Sequence, residues 1–215
     1  MKTYLSKCEV RGENVFKLGL IDPYQMHKRI WETLPHDPNA NRDFLFRSDV
    51  SNGVVRLLML SERIPISSCD MQWRTTELSP TFLSHGAYRF RLRANPTRRC
   101  KSYDIERGVE KHRRFALLGK DEVREWFLRK FSDAGCEIRP IIEEDGNEVL
   151  DLETTPPKRL HFTKCARNRG VVYSAEASGT LLVRDEAAFR KAFDTGIGPV
   201  KGFGFGLLLL QPIQP

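Results

Sequence analysis

The chain has 215 residues, of which 40% are hydrophobic and 29% charged, with a formal net charge of +7. That length suits one large domain or two of roughly 100 residues each, with the composition of an ordinary globular protein. No segment reaches the ~18 consecutive apolar residues of a membrane span, so no membrane partner is expected, and the cationic excess favours an anionic one.

The N-terminus runs directly into strand-like sequence, Tyr4 to Val10, without a signal-peptide pattern, and cytoplasm is the expected location. Asp22-Pro23-Tyr24-Gln25 then supplies an aspartate cap, a proline at the first helical position and a glutamine at the third, and predicts a helix to about Leu34. Arg42 to Ser48 puts Phe44 and Phe46 on one side of a predicted strand, and Val54 to Leu60 is a second, more apolar one. Ile64 to Leu78 fits a short helix or a loop. Tyr88 to Arg93 alternates Tyr88, Phe90 and Leu92 with Arg89, Arg91 and Arg93, which predicts a half-buried strand with a cationic face.

Ala94-Asn95-Pro96 ends that strand, because proline cannot donate to a ladder and restricts the residue before it. A domain boundary is expected there, giving units 1–94 and 95–215. In the second unit Val123, Trp126, Phe127 and Phe131 fall at helical spacing between Asp121 and Ala134, with Gly135 as the stop. Residues 136–183 read as several strands, with turns at Asp145-Gly146-Asn147 and around Asn168 to Gly170. Asp185 to Phe193 reads as another helix, and Phe205 to Leu210 as the last strand. Two βαββαβ-like halves make the expected fold α+β, a tandem of ferredoxin-like domains of the kind RNA-recognition modules also use.

Two stretches stand out chemically. Between Arg89 and Arg114 there are ten Lys/Arg against three acids, an excess equal to the net charge of the whole chain. A charge run is usually a solvated face, but this concentration also suits a nucleic-acid surface. The other is the loop Gly196, Gly198, Gly202, Gly204 and Gly206, set around Lys201, Phe203 and Phe205. Such a loop either turns the chain tightly or lets backbone N–H groups hold a phosphate with the lysine beside them. It is not a dinucleotide fingerprint, since it follows a helix and opens a strand, and no Gly-Lys-Ser/Thr occurs. Lys201 to Phe205 matches only the first part of an RNA-recognition signature.

The five cysteines, 8, 69, 100, 136 and 165, have no paired spacing and read as reduced thiols. No His-x-x-x-His occurs, the acids are not grouped in ligand spacing, and the trio Glu143-Glu144-Asp145 reads as a solvated turn, so neither metal nor cofactor is expected. Of the five histidines, His27 is placed most suggestively. It lies three residues after Tyr24 and four before Trp31, so the three share a helical face. A helix N-terminus favours neutral imidazole, the form able to accept a proton. The same stripe is also an ordinary packing pattern, and spacing by itself leaves both readings open.

Several separated segments together resemble one family. Tyr4-Leu5-Ser6-Lys7, Pro23-Tyr24-Gln25-Met26-His27, Arg42 through Arg47, Phe90 through Pro96, and Gly196 through Leu208 follow the order seen in CasE-type CRISPR endoribonucleases, the repeat-cleaving subunits of subtype I-E Cascade complexes. The resemblance implies tandem ferredoxin-like domains and metal-independent cleavage of CRISPR precursor RNA at stem-loop repeats, with other Cascade subunits as partners. It implies Tyr24 and His27 as catalytic residues and a further cation from the second domain, for which Lys164 and Arg167 are the candidates. It also suggests a basic element lying along the RNA stem, for which Arg91, Arg93, Arg98, Arg99, Lys101, Arg107, Lys111, Arg113 and Arg114 are candidates. Lys201 joins them on the glycine loop, which is expected to support the cleft or the packing between domains. Two other classes remain in view, a non-catalytic RNA-binding subunit and a small-molecule enzyme on the same scaffold.

Overall fold

The computed structural model describes residues 2–35, 43–104, 108–165 and 168–213. Its first unit contains β1 (Tyr4–Arg11), α1 (Glu13–Lys17), α2 (Pro23–Glu32), β2 (Phe44–Ser51), β3 (Val54–Ser61) and β4 (Trp73–Glu77). The strands pair in the order β2-β3-β1-β4, all antiparallel. This is the ferredoxin-like order, with one departure from the expected pattern. The irregular segment 62–72 stands where the second helix would be, so Ile64 to Leu78 resolves into a loop followed by a strand.

The second unit opens with β5 (Ala87–Ala94), followed by β6 (Thr97–Asp104), β7 (Val109–Ala116), α3 (Lys120–Asp133) and β8 (Cys136–Ile138). A short hairpin, β9 (Pro140–Ile142) and β10 (Glu148–Leu150), turns at the expected Asp145-Gly146-Asn147. Then come β11 (Leu152–Thr154), β12 (Lys158–Cys165), β13 (Asn168–Val183), α4 (Glu186–Thr195), a 3₁₀ turn at Lys201–Phe203, and β14 (Leu208–Ile213). β5 lies between β13 and β14, and β8 pairs with the far end of β13. Taking β5, β8, β13 and β14 as the four core strands repeats the ferredoxin-like order. The fold is therefore α+β, with two such sheets in tandem.

Two expectations change with these pairings. The strand Tyr88–Arg93, assigned to the end of the first unit, is the centre of the second sheet, and we propose a boundary between Glu77 and Ala87 in place of one at Ala94. The alternation that revealed the strand says which face is buried but not which sheet it joins. Asn168 to Gly170 is not a turn: it begins β13, and Gly170 sits opposite Phe162, where an added Cβ would come within 2.2 Å of the ring. The basic window after Pro96 is a two-stranded hairpin, β6–β7, with no regular alternation to announce it.

Each sheet buries one face under its helices. Met26 and Ile30 of α2 pack with Phe44, Phe46, Leu57 and Met59 of the first sheet. Tyr88, Phe90 and Leu92 pack with Phe127, Phe131 and Phe189 under α3 and α4. Period-two alternation sends Leu45 and Leu60 to the opposite face of the first sheet, where they join the second core and fasten the units together.

Arg47, next but one along β2, lies on this joining face and its side chain is 2% exposed. Its Nε donates to Asp49 at 2.9 Å and its Nη2 to Glu176 of β13 at 3.0 Å. Arg93 of β5 donates to Glu176 at 2.7 Å, to Asp49 at 2.6 Å and to the Ser48 carbonyl at 2.5 Å. Arg91 adds a bond to Glu176 at 2.7 Å. Burial alone would raise the Glu176 carboxyl, but Arg93, Arg47 and Arg91 outweigh it and hold it below the usual range.

Because its folded pKa is depressed, Glu176 contributes stability above its unfolded pKa of about 4.3, lost as pH falls through the folded value. Glu176→Gln is expected to cost on the order of 3 kcal/mol at pH 7, since it strips a buried guanidinium of its partner in the other unit. Urea titrations from pH 7 to pH 3 should show the gap to wild type closing as the wild-type carboxyl protonates. A gap that stays constant with pH would contradict this account.

Candidate active site

The helix carrying Tyr24 and His27 begins as its sequence dictates. Asp22 Oδ1 accepts from the backbone N–H of Tyr24 at 2.8 Å and of Gln25 at 3.1 Å, with Pro23 at the first position. The second oxygen, Oδ2, accepts the backbone N–H of Thr163 at 2.8 Å. One carboxylate thus caps α2 and ties it to β12 of the other unit. The cap is readable in the sequence; the second partner, 141 residues away, is not.

Tyr24 and His27 are both half-buried, whereas Met26 and Ile30 of the same helix are in the core. The imidazole stacks on Phe44 with centroids 5.4 Å apart and an interplanar angle of 20°. Trp31 at 6.0 Å and Phe46 at 6.3 Å complete an aromatic seat. Phe44 and Phe46 come from β2, so the strand read from alternation is what fixes the ring. Packing and partial exposure coexist here: the ring is oriented by aromatic contact without being enclosed.

β12 and the first half of β13 form an arm that projects past the sheet to α2, with Thr163 at its tip paired to Arg169. Lys164 follows Thr163 directly, so its strand position is beside the start of α2. Arg167 lies outside the described residues. Phe162 on this arm meets Phe203 of the glycine loop, with centroids 4.4 Å apart.

The glycine loop closes a third side. Its 3₁₀ turn at Lys201–Phe203 rests against α2 and β2. Gly196 and Gly204 take positive φ, 77° and 83°, and added Cβ atoms there would come within 2.8 Å of Leu45 and 3.1 Å of Phe46. These glycines serve close approach to β2, an interdomain packing role. Val200 also has positive φ, 62°, unusual for a β-branched residue. Lys201 Nζ donates to the Thr195 carbonyl at 2.7 Å, at the C-terminus of α4 where a cation complements the helix dipole. Gly198 lies against Trp126, Gly206 donates its N–H to the Arg93 carbonyl at 2.8 Å, and Gly202 falls within the 3₁₀ turn.

The predicted cationic residues divide into two groups. Arg91 and Arg93 are engaged in the ion-pair cluster that joins the units. Arg98, Arg99, Lys101, Arg113 and Arg114 stand exposed on the β6–β7 hairpin, Lys111 is placed there by its strand position, and Arg107 lies outside the described residues. Lys101 pairs with Glu110 at 3.1 Å. Arg99 stands directly opposite Arg114, and Arg98 and Arg113 occupy the other face, so both faces are cationic. Like charges directly opposite destabilise a strand pair, so this hairpin carries a repulsion of its own. Among the described residues no group of three His, Cys, Asp or Glu converges as a metal site, and no helix is long and apolar enough to cross a membrane.

The dual role of Asp22 is separable. Asparagine keeps one acceptor oxygen, enough for the cap but not for Thr163. Amide hydrogen exchange should therefore quicken at Thr163 in Asp22→Asn, and at Thr163, Tyr24 and Gln25 in Asp22→Ala, which also loses about 1–2 kcal/mol. Unchanged protection of Thr163 in both variants would remove the bridge.

Comparison with known proteins follows the same architecture. A family model described as CRISPR associated protein matches residues 3–212. The CRISPR system Cascade subunit CasE of Escherichia coli (strain K12) is 29% identical over 199 residues, 89% of this chain and 93% of that protein. Thermus thermophilus Cse3, solved bound to an RNA representing a pre-cleavage complex, is similar with a TM-score of 0.77 at 22% identity, covering 99% of this chain and 100% of the other. Cas6e from Escherichia coli str. K-12 gives 0.73 at 24% identity, covering 98% and 100%. These two structures share the fold. With one model spanning nearly its entire length, the chain belongs to the family of CRISPR-associated proteins.

Proposed function

We propose that this protein is an endoribonuclease that cleaves CRISPR precursor RNA at stem-loop repeats without a metal, and that it stays with the product among the subunits of a Cascade complex. The observation that carries the reading is the pair Tyr24 and His27, half-exposed on one face of α2. The start of that helix is tied to an arm of the second unit. The cationic β6–β7 hairpin of that unit is a surface for the substrate's phosphates. Similarity to a Cascade subunit and to a protein captured with RNA before cleavage supports the same substrate class. A cytoplasmic location follows from such a substrate.

RNA supplies its own nucleophile. The 2′-oxygen forms a bond to the adjacent phosphorus as the bond from phosphorus to the 5′-oxygen breaks, giving a 2′,3′-cyclic phosphate and a 5′-hydroxyl. The 2′-hydroxyl loses one proton and the leaving oxygen gains one. His27 serves one of these transfers, and its stack on Phe44 holds the ring for it. Tyr24 orients the phosphate or assists the transfer. Lys164, from its strand position beside α2, offsets charge that grows on the phosphorane oxygens. Holding the phosphate in line is the other large contribution.

A non-catalytic RNA-binding subunit is favoured by one observation, the aromatic seat of His27, which a packing role would explain. Cleavage decides between them. His27→Ala should bind a CRISPR repeat hairpin as wild type does but cleave it roughly 10²–10⁴-fold more slowly. The wild type should be indifferent to EDTA, and its products should carry the two ends given above. Wild-type rates in His27→Ala would leave only the binding subunit.

A further inference from the structure

The root of the β6–β7 hairpin, helix α3 and the glycine loop enclose a cleft that the site around Tyr24 and His27 does not include. Arg98, Arg99 and Arg114 line it from the hairpin, Arg129 and Lys130 from α3, and Gly198-Pro199 from the loop. Lys130 Nζ is bonded to Asp133 at 2.6 Å, an exposed pair on the surface of the same helix. The four arginines have no carboxylate partner among the described residues. Five cations thus border one cleft, Arg98 from the other face of the hairpin, with a single acid bonded at its edge.

The cleft is held open by structure beneath it. Trp126, 3% exposed, donates its indole N–H to the Thr97 carbonyl at 3.1 Å and so pins the first hairpin strand to α3. Leu117 donates its backbone N–H to the Pro96 carbonyl at 3.0 Å and closes the hairpin root. An added Cβ at Gly198 would come within 2.9 Å of the Trp126 ring, so only glycine lets the loop lie this close. Repulsion among the arginines is thereby built into a fixed frame, and only an anion relieves it.

The same loop continues from Pro199 through Val200 into the turn Lys201–Phe203, which rests on α2. One continuous segment therefore borders the cleft on one side and the helix of Tyr24 and His27 on the other. We infer that this cleft is a second RNA subsite, which grips the sugar-phosphate backbone away from the nucleotides at Tyr24 and His27 and sets their distance from the hairpin's hold on the stem. The inference rests on the proposed ribonuclease reading and adds Arg129 and Lys130 to the binding surface. Neither stands out in the sequence: Arg129 falls on the polar side of an ordinary amphipathic helix, and Lys130, partly buried, borders its apolar face three residues after Phe127. The occupant is backbone rather than bases, since the lining offers cationic donors and little exposed aromatic surface for stacking.

The experiment compares Arg129→Ala/Lys130→Ala with wild type and with Lys191→Ala, an exposed cation on α4 outside the cleft. Affinity for a CRISPR repeat hairpin is measured from 50 to 200 mM salt, and cleavage in single turnover at saturating protein. The double variant should bind on the order of tenfold more weakly, with a salt slope shallower by roughly 1 to 2. Its single-turnover cleavage at saturation should also slow severalfold, because the subsite positions the nucleotides at Tyr24 and His27, and Lys191→Ala should change neither affinity nor slope beyond a small general charge effect. Both residues lie on the helix surface, and an unchanged thermal melt checks the fold. If the double variant binds RNA like Lys191→Ala, the cleft serves something else, an acidic protein segment included, and the inference fails while the ribonuclease reading stands. If wild type itself neither binds nor cleaves the hairpin, the ribonuclease reading fails first.

Discussion

Burying Arg47 between the two sheets constrains everything else. A guanidinium 2% exposed must keep its carboxylates, and one of them, Glu176, belongs to the other unit. The apolar contacts of Leu45 and Leu60 with the second core would tolerate sliding, since dispersion has little directional preference. The charged cluster does not. Arg47, Arg91, Arg93, Asp49 and Glu176 find their partners together in one register only. The arrangement is not optimal for stability, because Arg47 Nη1 is buried with no hydrogen-bond partner among the described residues. What it secures is a defined docking of one sheet on the other.

That docking brings two projections of the second unit to the first. The β12–β13 arm reaches the cap of α2 through Thr163, and the glycine loop lies against Leu45 and Phe46 of β2. Neither contact survives a relative displacement of the units by a few ångströms. The proposed catalytic pair sits on the first unit, where Phe44, Phe46 and Trp31 seat His27, while the arm at the cap of α2 and the glycine loop come from the second. A site assembled this way is positioned by the interface as much as by the helix that carries it.

What the sequence discloses follows from what local physics controls. The start of α2 is legible because Asp22 and Pro23 act within four residues of themselves, and the shared face of Phe44 and Phe46 because they alternate, but no local pattern says that this face seats His27. The glycine loop is legible as a loop, while its purpose depends on Leu45 and Trp126, which are distant in the chain. β5 is recognisable as a strand, but no local pattern says that its partners are β13 and β14. The β6–β7 hairpin is hidden for the opposite reason: both of its faces are charged, so no period-two signal exists. Arg91 and Arg93 resemble their neighbours on the hairpin in sequence. Only Glu176, more than 80 residues later, separates a structural arginine from a solvent-facing one.

That hairpin is also where stability and binding are coupled. A two-stranded ribbon is marginal alone in water, and this one adds the repulsion of Arg99 against Arg114. Its anchors are at the root, through Thr97 and Leu117, so local opening beyond them costs little. An anion that binds only the paired form stabilises it by mass action and removes the repulsion at the same time. The unpaired arginines would then do two things with one charge: they loosen the free hairpin, and they make its ordered form depend on the phosphates proposed to bind it.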